Sequence, residues 1–322
     1  MAFNNVISRA DAAALIPQET SREIIAAVPQ ASAVMGLARR LANMSSNQRR
    51  MPVMSALATA YFVTGDTGLK ETSEVNWDNR FIDAEELAVI VPIPEAVLDD
   101  AEFDIWSEVR PALVEAFGVA IDQAVLYGTN IPASWTTNLG AAGLTTGINN
   151  AGHQISLAAY ADMYEAILGE SAGGVSGLFG LVEADGFMVT GSIADLAMKR
   201  RLRNVRATGG ELIFSTNMQQ AGAYVLDGAP CVFPTNGAIN AAFYLISGQW
   251  NQLVYAMRQD ITYKVLDQAV IQDGAGNIIY NLAQQDMVAL RAVMRLGFAL
   301  PNPINRVNQV AATRFPFASL TA

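Results

Sequence analysis

Arg50-Met51-Pro52-Val53-Met54 and Ala58-Thr59-Ala60-Tyr61-Phe62-Val63 lead into Thr64-Gly65-Asp66-Thr67-Gly68-Leu69-Lys70-Glu71-Thr72 and return through Val75-Asn76-Trp77-Asp78-Asn79-Arg80-Phe81. The centre is rich in Gly, Asp and Thr, as a loop tip should be, and the flanks read as strands. The stretch predicts a long β-hairpin whose return strand continues through Leu87-Ala88-Val89-Ile90-Val91. Standing before a long helix, such a hairpin exposes its edges in a monomer. It needs a neighbour.

The helix comes next. Pro92 and Pro94 lead to a short turn at 95–98 and an acid cluster of Asp99, Asp100, Glu102 and Asp104. Apolar residues then recur at Ile105, Val109, Leu113, Phe117, Ile121, Ala124, Val125 and Tyr127, helical spacing over roughly six turns. Gly128 closes the helix, and Pro111 predicts a kink or loosened turn in its first third. The acids do not make a calcium loop, for no glycine and no distal bidentate Glu complete the pattern. They suit the positive end of the helix dipole instead.

Upstream, residues 1–47 read as an arm carrying helices at 21–28 and 31–41, with Arg39 and Arg40 near the end of the second. Neither is long enough to build a core, so the arm must pack on something else. Downstream, 131–154 reads as a Gly/Asn/Thr loop and the rest as mixed α/β. Helices are expected at 158–168 and 192–202, and strands at 187–190, 229–233, 242–246 and 261–265. A glycine turn is expected at Gly209-Gly210. Asp273-Gly274-Ala275-Gly276-Asn277 signals a hairpin before Ile278-Ile279-Tyr280. A last apolar element at 288–298 leads through Pro301 and Pro303 into a loose tail. The fold class is α+β.

Composition narrows the function. Hydrophobic residues make up 52% and charged residues 16% of the 322, apolar enough that much surface should be buried against other subunits. Two long stretches free of charge, 129–161 and 228–257, are broken by Pro, Gly, Asn and Gln, so neither reads as a membrane span. No signal peptide opens the chain, and a cytoplasm-like compartment is expected. The charge is uneven: residues 1–50 hold six Arg against three acids, and residues 51–128 hold three bases against fifteen acids. A basic arm and an acidic centre suggest complementary contacts between copies, or simply a solvated acidic face.

The catalytic inventory is poor. His153 is the single histidine, which excludes two-histidine metal motifs, and it reads as a polar loop residue. Gly174-Val175-Ser176-Gly177 is followed by Leu178 and makes no nucleophile elbow. Cys231 is alone in an apolar run and reads as a buried, inert thiol. No enzyme and no cofactor are expected. The basic run Lys199-Arg200-Arg201-Leu202-Arg203 could touch nucleic acid or an acidic neighbour, or be a solvated helix end. Specific nucleic-acid recognition does not suit a pI near 4.6.

The order of arm, hairpin, short helix, long helix, mixed domain and returning strands resembles the tailed-phage major capsid protein family. Its fold is shared with encapsulins and the herpesvirus capsid floor. The resemblance spans nearly the whole chain. It is carried by Leu69-Lys70-Glu71-Thr72-Ser73-Glu74-Val75-Asn76-Trp77, by Val91-Pro92-Ile93-Pro94-Glu95-Ala96-Val97-Leu98-Asp99-Asp100-Ala101 and by Leu126-Tyr127-Gly128-Thr129. Leu226-Asp227-Gly228-Ala229-Pro230-Cys231-Val232 and the stretch from Gly248-Gln249-Trp250 to Tyr263 extend it.

The resemblance implies an N-terminal arm (1–47), an extended loop (48–92) and a peripheral domain with a spine helix (93–150). An axial domain (151–269) and return strands with a C-terminal tail (270–322) follow. It implies pentamers and hexamers of an icosahedral virion shell, assembled in the host cytoplasm around double-stranded DNA held by weak, non-specific contacts. An encapsulin-type nanocompartment shell is the alternative; the arm, tail and hairpin favour the viral one. Implied partners are a portal, a decoration protein and a scaffolding protein. Fewer than about fifty residues precede the hairpin, so the scaffold is expected to be a separate protein or missing. Asp66, Lys70, Glu71, Arg80, Glu102, Glu108 and Arg110 are the candidate inter-subunit contacts, with Lys70 and Arg80 expected to meet acids such as Glu102 or Glu108 of a neighbour. Arg39 and Arg40 are the arm contacts, and Lys199, Arg200, Arg201 and Arg203 face the lumen or a neighbour. Some family members join a hairpin lysine to an asparagine with a glutamate's help. Lys70 is placed for this, but no glutamate follows Glu211 and the expected acidic positions read Ala292-Val293-Met294. No covalent cross-link is therefore expected.

Overall fold

The computed structural model describes residues 31–63, 68–100, 104–171, 173–205 and 224–321. The expected helix at 21–28, the tip residue Asp66, the acid Glu102 and the turn at Gly209-Gly210 lie outside these.

In chain order the strands are β1 (Arg39–Arg40), β2 (Gln48–Met54), β3 (Trp77–Asp83), β4 (Glu85–Pro94), β5 (Gln154–Ser156), β6 (Gly191–Ala194) and β7 (Val225–Leu226). Then come β8 (Ala229–Val232), β9 (Phe243–Gly248), β10 (Val254–Leu266), β11 (Val270–Gln272), β12 (Ile278–Asn281), β13 (Met287–Ala299) and β14 (Phe317–Thr321). The helices are α1 (Ala33–Leu37), α2 (Glu95–Asp100), α3 (Ile105–Tyr127), α4 (Ala133–Leu139), α5 (Leu144–Ala151), α6 (Met163–Ile167), α7 (Leu178–Ala184) and α8 (Leu196–Arg203).

Two sheets organise these elements, one in the order β1-β10-β13-β4 and the other β5-β14-β9-β6-β8-β7. The ribbons β2–β3 and β11–β12 are hydrogen-bonded separately from both, and β2–β3 packs on the first sheet through buried Ile82, which shares a core with Val254, Ala256 and Ala299. β13 is the spine of the first sheet, antiparallel to β10 on one side and β4 on the other. Its alternate residues Leu290, Ala292, Met294, Leu296 and Phe298 belong to one core with Leu113, Phe117, Ile121 and Val125 of α3. A period of two on the strand meets a period of four on the helix, so one face of each is buried. Each large apolar side chain so buried contributes roughly 1.5–3 kcal/mol. A second core gathers α6, α7 and α8 with β14 and β9 of the other sheet. Asp104 starts α3 by accepting from the Trp106 N–H, and Gly128 ends it in the left-handed region at φ 71°. The helix runs unbroken through Pro111.

Several expectations are corrected. The hairpin ladder is shorter than expected: β2 pairs with β3 from Gln48↔Asp83 to Met54↔Trp77, and 58–63 is not a strand. Nor does the return strand run on to Val91. It breaks at the buried Ala84, and β4 pairs instead with β13. A Cβ on Gly297 would strike the Asp83 carbonyl oxygen, so β13 passes directly against this break. Arg39 and Arg40 lie on a strand rather than a helix, because the Arg39 N–H finds the Leu253 carbonyl at 2.9 Å and the chain pairs along the β10 edge. The loop at 131–154 contains α4 and α5 and ends at the start of the short strand β5, turned by the positive-φ glycines Gly140, Gly143 and Gly152.

Farther on, 158–168 splits into a 3-10 turn (Leu157–Ala159) and α6. The strand expected at 187–190 forms instead at β6, and the helix starts after it, capped by Asp195. The strands at 229–233, 242–246 and 261–265, the 288–298 element and the ribbon before Tyr280 form close to where they were read. The tail is not loose. β14 sits between β5 and β9 with Phe317, Ala318, Ser319 and Leu320 fully buried.

Candidate functional site

Lys70 and Glu71 lie on the exposed limb of the hairpin loop, where the Glu71 carbonyl accepts from Tyr61 Oη at 2.9 Å. Arg80 is exposed on β3, and Glu108 is exposed in the first turn of α3. Among the described residues no Lys or Arg of the hairpin lies within ion-pair distance of an acid, and the one close pair of titratable groups is His153 with Asp185. Arg110 is exposed too, its guanidinium 5.6 Å from the centre of the exposed Tyr263 ring. Arg39 is exposed, and Arg40 donates to Asn43 Oδ1 at 3.2 Å.

The basic run falls at the end of α8 and divides in two. Lys199 sits 4.3 Å over the Tyr224 ring, and Arg201 lies 4.3 Å over Tyr244 while donating to its hydroxyl at 2.7 Å. Arg200 and Arg203 are exposed. Cys231 is buried, and burial pushes its thiol up to about 12.

Around the hairpin the loop carries large apolar side chains in water. Phe62 is 103% exposed, Leu69 90% and Trp77 63%. A second exposed apolar strip runs through Val265, Val270, Ile278 and Ile279 on β10 and the β11–β12 ribbon. No helix among the described residues is long and apolar enough to cross a membrane.

Two buried polar nodes escaped the sequence reading. Asp122 on α3 has no exposure and accepts from the Ser32 hydroxyl and from the N–H groups of Ala33 and Val34, at 2.9 and 3.1 Å. Burial raises its carboxyl above the usual value, and the three donors act against the rise. A lone acid beside Ile121, on the apolar face of a helix, was its only signal. The second node adds to the reading of His153, which does lie in the loop between α5 and β5. His153 is buried, with Nδ1 3.2 Å from the Phe317 carbonyl oxygen and Nε2 3.4 Å from Asp185 Oδ2. Asp185 also accepts from the Phe315 N–H and from Asn308 Nδ2, each at 2.7 Å. Buried Arg314 donates to Asn302 and Asn308; burial draws it below the ordinary value, and Asp185 opposes this. These groups tie the last segment of the chain to the end of α7.

A family pattern described as the phage capsid family matches residues 12–305. The chain belongs to the phage capsid family. Within that family it is 26% identical over 298 residues to the major capsid protein of Staphylococcus phage 80alpha, covering 91% of this chain and 84% of that one. Its fold is similar to a solved chain of Microbacterium phage Oxtober96, with TM-score 0.81 and 32% identity over 98% of this chain and 99% of that one. A chain of Mycobacterium phage Adephagia gives TM-score 0.79 and 31% identity over 98% of both. A capsid-family chain is a structural shell protein and not an enzyme, and the α+β fold is the family's. The nodes at Asp122 and Asp185 are accordingly architecture: each joins segments about 90 or more residues apart.

Proposed function

We propose that this chain is the major subunit of a tailed-phage head, forming pentamers and hexamers of an icosahedral shell around double-stranded DNA. The observation that carries the reading is the hairpin loop, which leaves Phe62, Leu69 and Trp77 in water. Side chains of this size are seldom grouped in water without a cover, and large obligate interfaces are apolar. In the shell, the extended loop expected at 48–92, here its hairpin part at 48–83, overlaps an adjacent copy, and its cations Lys70 and Arg80 face acids on the long-helix side of that copy.

The long helix α3 is the spine of the peripheral domain (93–150), which β13 of the return segment and β10 complete. The six-stranded sheet, to which the tail contributes β14, is the heart of the axial domain (151–269), meeting its copies around five-fold and quasi-six-fold axes. Arg39 and Arg40 extend the arm's contacts. Exposed Arg200 and Arg203 leave weak, non-specific contact with packaged DNA as one role for the basic run. A portal, a decoration protein and a separate scaffold are the other partners proposed. Electron microscopy of the expressed full chain tests the reading: closed shells support it, and a stable, solitary molecule at high concentration overturns it. Denaturing gels of particles are expected to show single chains, without a ladder of covalent multimers.

A further inference from the structure

We propose that Leu69 and Lys70 of one copy plug a cavity on a second copy, between the start of β4, the C-terminal half of α3 and α4. This rests on the reading that the hairpin overlaps a neighbour. The cavity, of about 220 Å3, is floored by Leu87, Ile121, Ala124 and Trp135 and rimmed by Glu85 and Glu86, and no Lys or Arg lines it. Glu85 is held in place by Ser134 Oγ, which donates to it at 2.6 Å, while Glu86 stands exposed. Leu69 is 90% exposed and followed at once by a cation. An apolar tooth beside a positive charge matches an apolar hole beside negative ones. The leucine leaves water, and the ammonium stays at a wet rim where pairing needs little desolvation.

The occupant is a second copy for reasons of reach. The seven residues of β3 are paired along their length with β2, and at about 3.3 Å per residue they hold the loop roughly 20 Å from the chain's own β4. Glu108 is a poorer destination. It lies thirteen residues before Ile121 on the same helix, about 20 Å from the cavity, so a lysine paired with it would leave Leu69 outside the cavity.

Zero-length carbodiimide cross-linking of assembled, unmodified particles, read by mass spectrometry, tests the assignment without any variant. Lys70 joined to Glu85 or Glu86 of another copy is expected; Lys70 joined to Glu108, or to an acid within residues 1–30, overturns it. Leu69→Ala should raise the subunit concentration needed for assembly by roughly tenfold or more. Lys70→Glu should impair assembly, and adding Glu86→Lys should restore it. Deleting 68–73 separates the two ideas. If that deletion leaves assembly unchanged, the hairpin reading itself fails. If it abolishes assembly while the charge exchange restores nothing, the cavity assignment alone fails.

Discussion

Asp122 shows how much one side chain can decide. Its oxygens take up the Ser32 hydroxyl and two backbone N–H groups at the start of α1, fixing residues 32–34 on the long helix. Asp122→Ala leaves those donors buried without acceptors and should destabilise the chain by about 1–3 kcal/mol, read from chemical denaturation. The pH dependence has a definite sign. Burial holds the folded carboxyl above the ordinary 3.8, so within that window the folded chain binds more protons than the unfolded one. The stability from this group is therefore full below 3.8 and is lost as pH rises through the raised value. The difference in unfolding free energy between the native chain and Asp122→Asn should shrink across that window, and a difference flat with pH would contradict the assignment. Sequence alone could not reach this node, since the partner lies 90 residues upstream and local periodicity carries no information about it. The burial of His153 was hidden for the same reason: its Gly/Asn surroundings read correctly as a loop, while its burial comes with Asp185 and Phe317 far along the chain.

Among the elements, length and periodicity decided what was legible. The helix α3 and the strand β13 repeat their apolar residues for 23 and 13 residues, enough to be legible in the sequence. The short helices α4 and α5, of seven and eight residues, are rich in Thr, Asn and Gly and show no such run. The strand β6, four residues buried throughout, lacks alternation and merged with the helix after it. The same limit hid β14, five residues long, whose position between β5 and β9 depends on pairing with distant chain. Two changes test these elements. Leu320→Ala should cost about 2–5 kcal/mol, because Leu320 is fully buried in the second core, and a change below about 0.5 kcal/mol would show β14 to be dispensable. Gly128→Ala should lower the melting temperature. The position has φ 71°, and a Cβ there would strike the backbone of Ala141 and Ala142, so backbone strain and steric conflict act together. An unchanged melting temperature would mean that the turn after α3 relaxes freely.

At the scale of the whole molecule, the question is which exposed apolar surface meets another copy. The hairpin is one answer, and the β11–β12 ribbon offers an independent one. Val270 on β11 and Ile278 and Ile279 on β12 are all exposed, and Val265 continues the strip onto β10. Successive residues of a strand face opposite sides, so exposed Ile278 and Ile279 leave both faces of the ribbon uncovered. A two-stranded ribbon cannot bury both faces by itself. On the shell reading proposed above, neighbouring subunits cover it, and a charge placed there should act on assembly rather than on folding. Ile279→Asp should change the unfolding free energy of the unassembled chain by no more than about 0.5 kcal/mol, as exposed substitutions usually do. It should nevertheless raise the subunit concentration at which shells appear by roughly tenfold or more, since a charge would have to be buried against apolar surface. Light scattering of assembly at graded concentrations, beside denaturation of the same preparation, separates the two effects. Normal assembly with an unchanged melt would leave the ribbon facing solvent in the shell, and the hairpin would then be the main apolar contact.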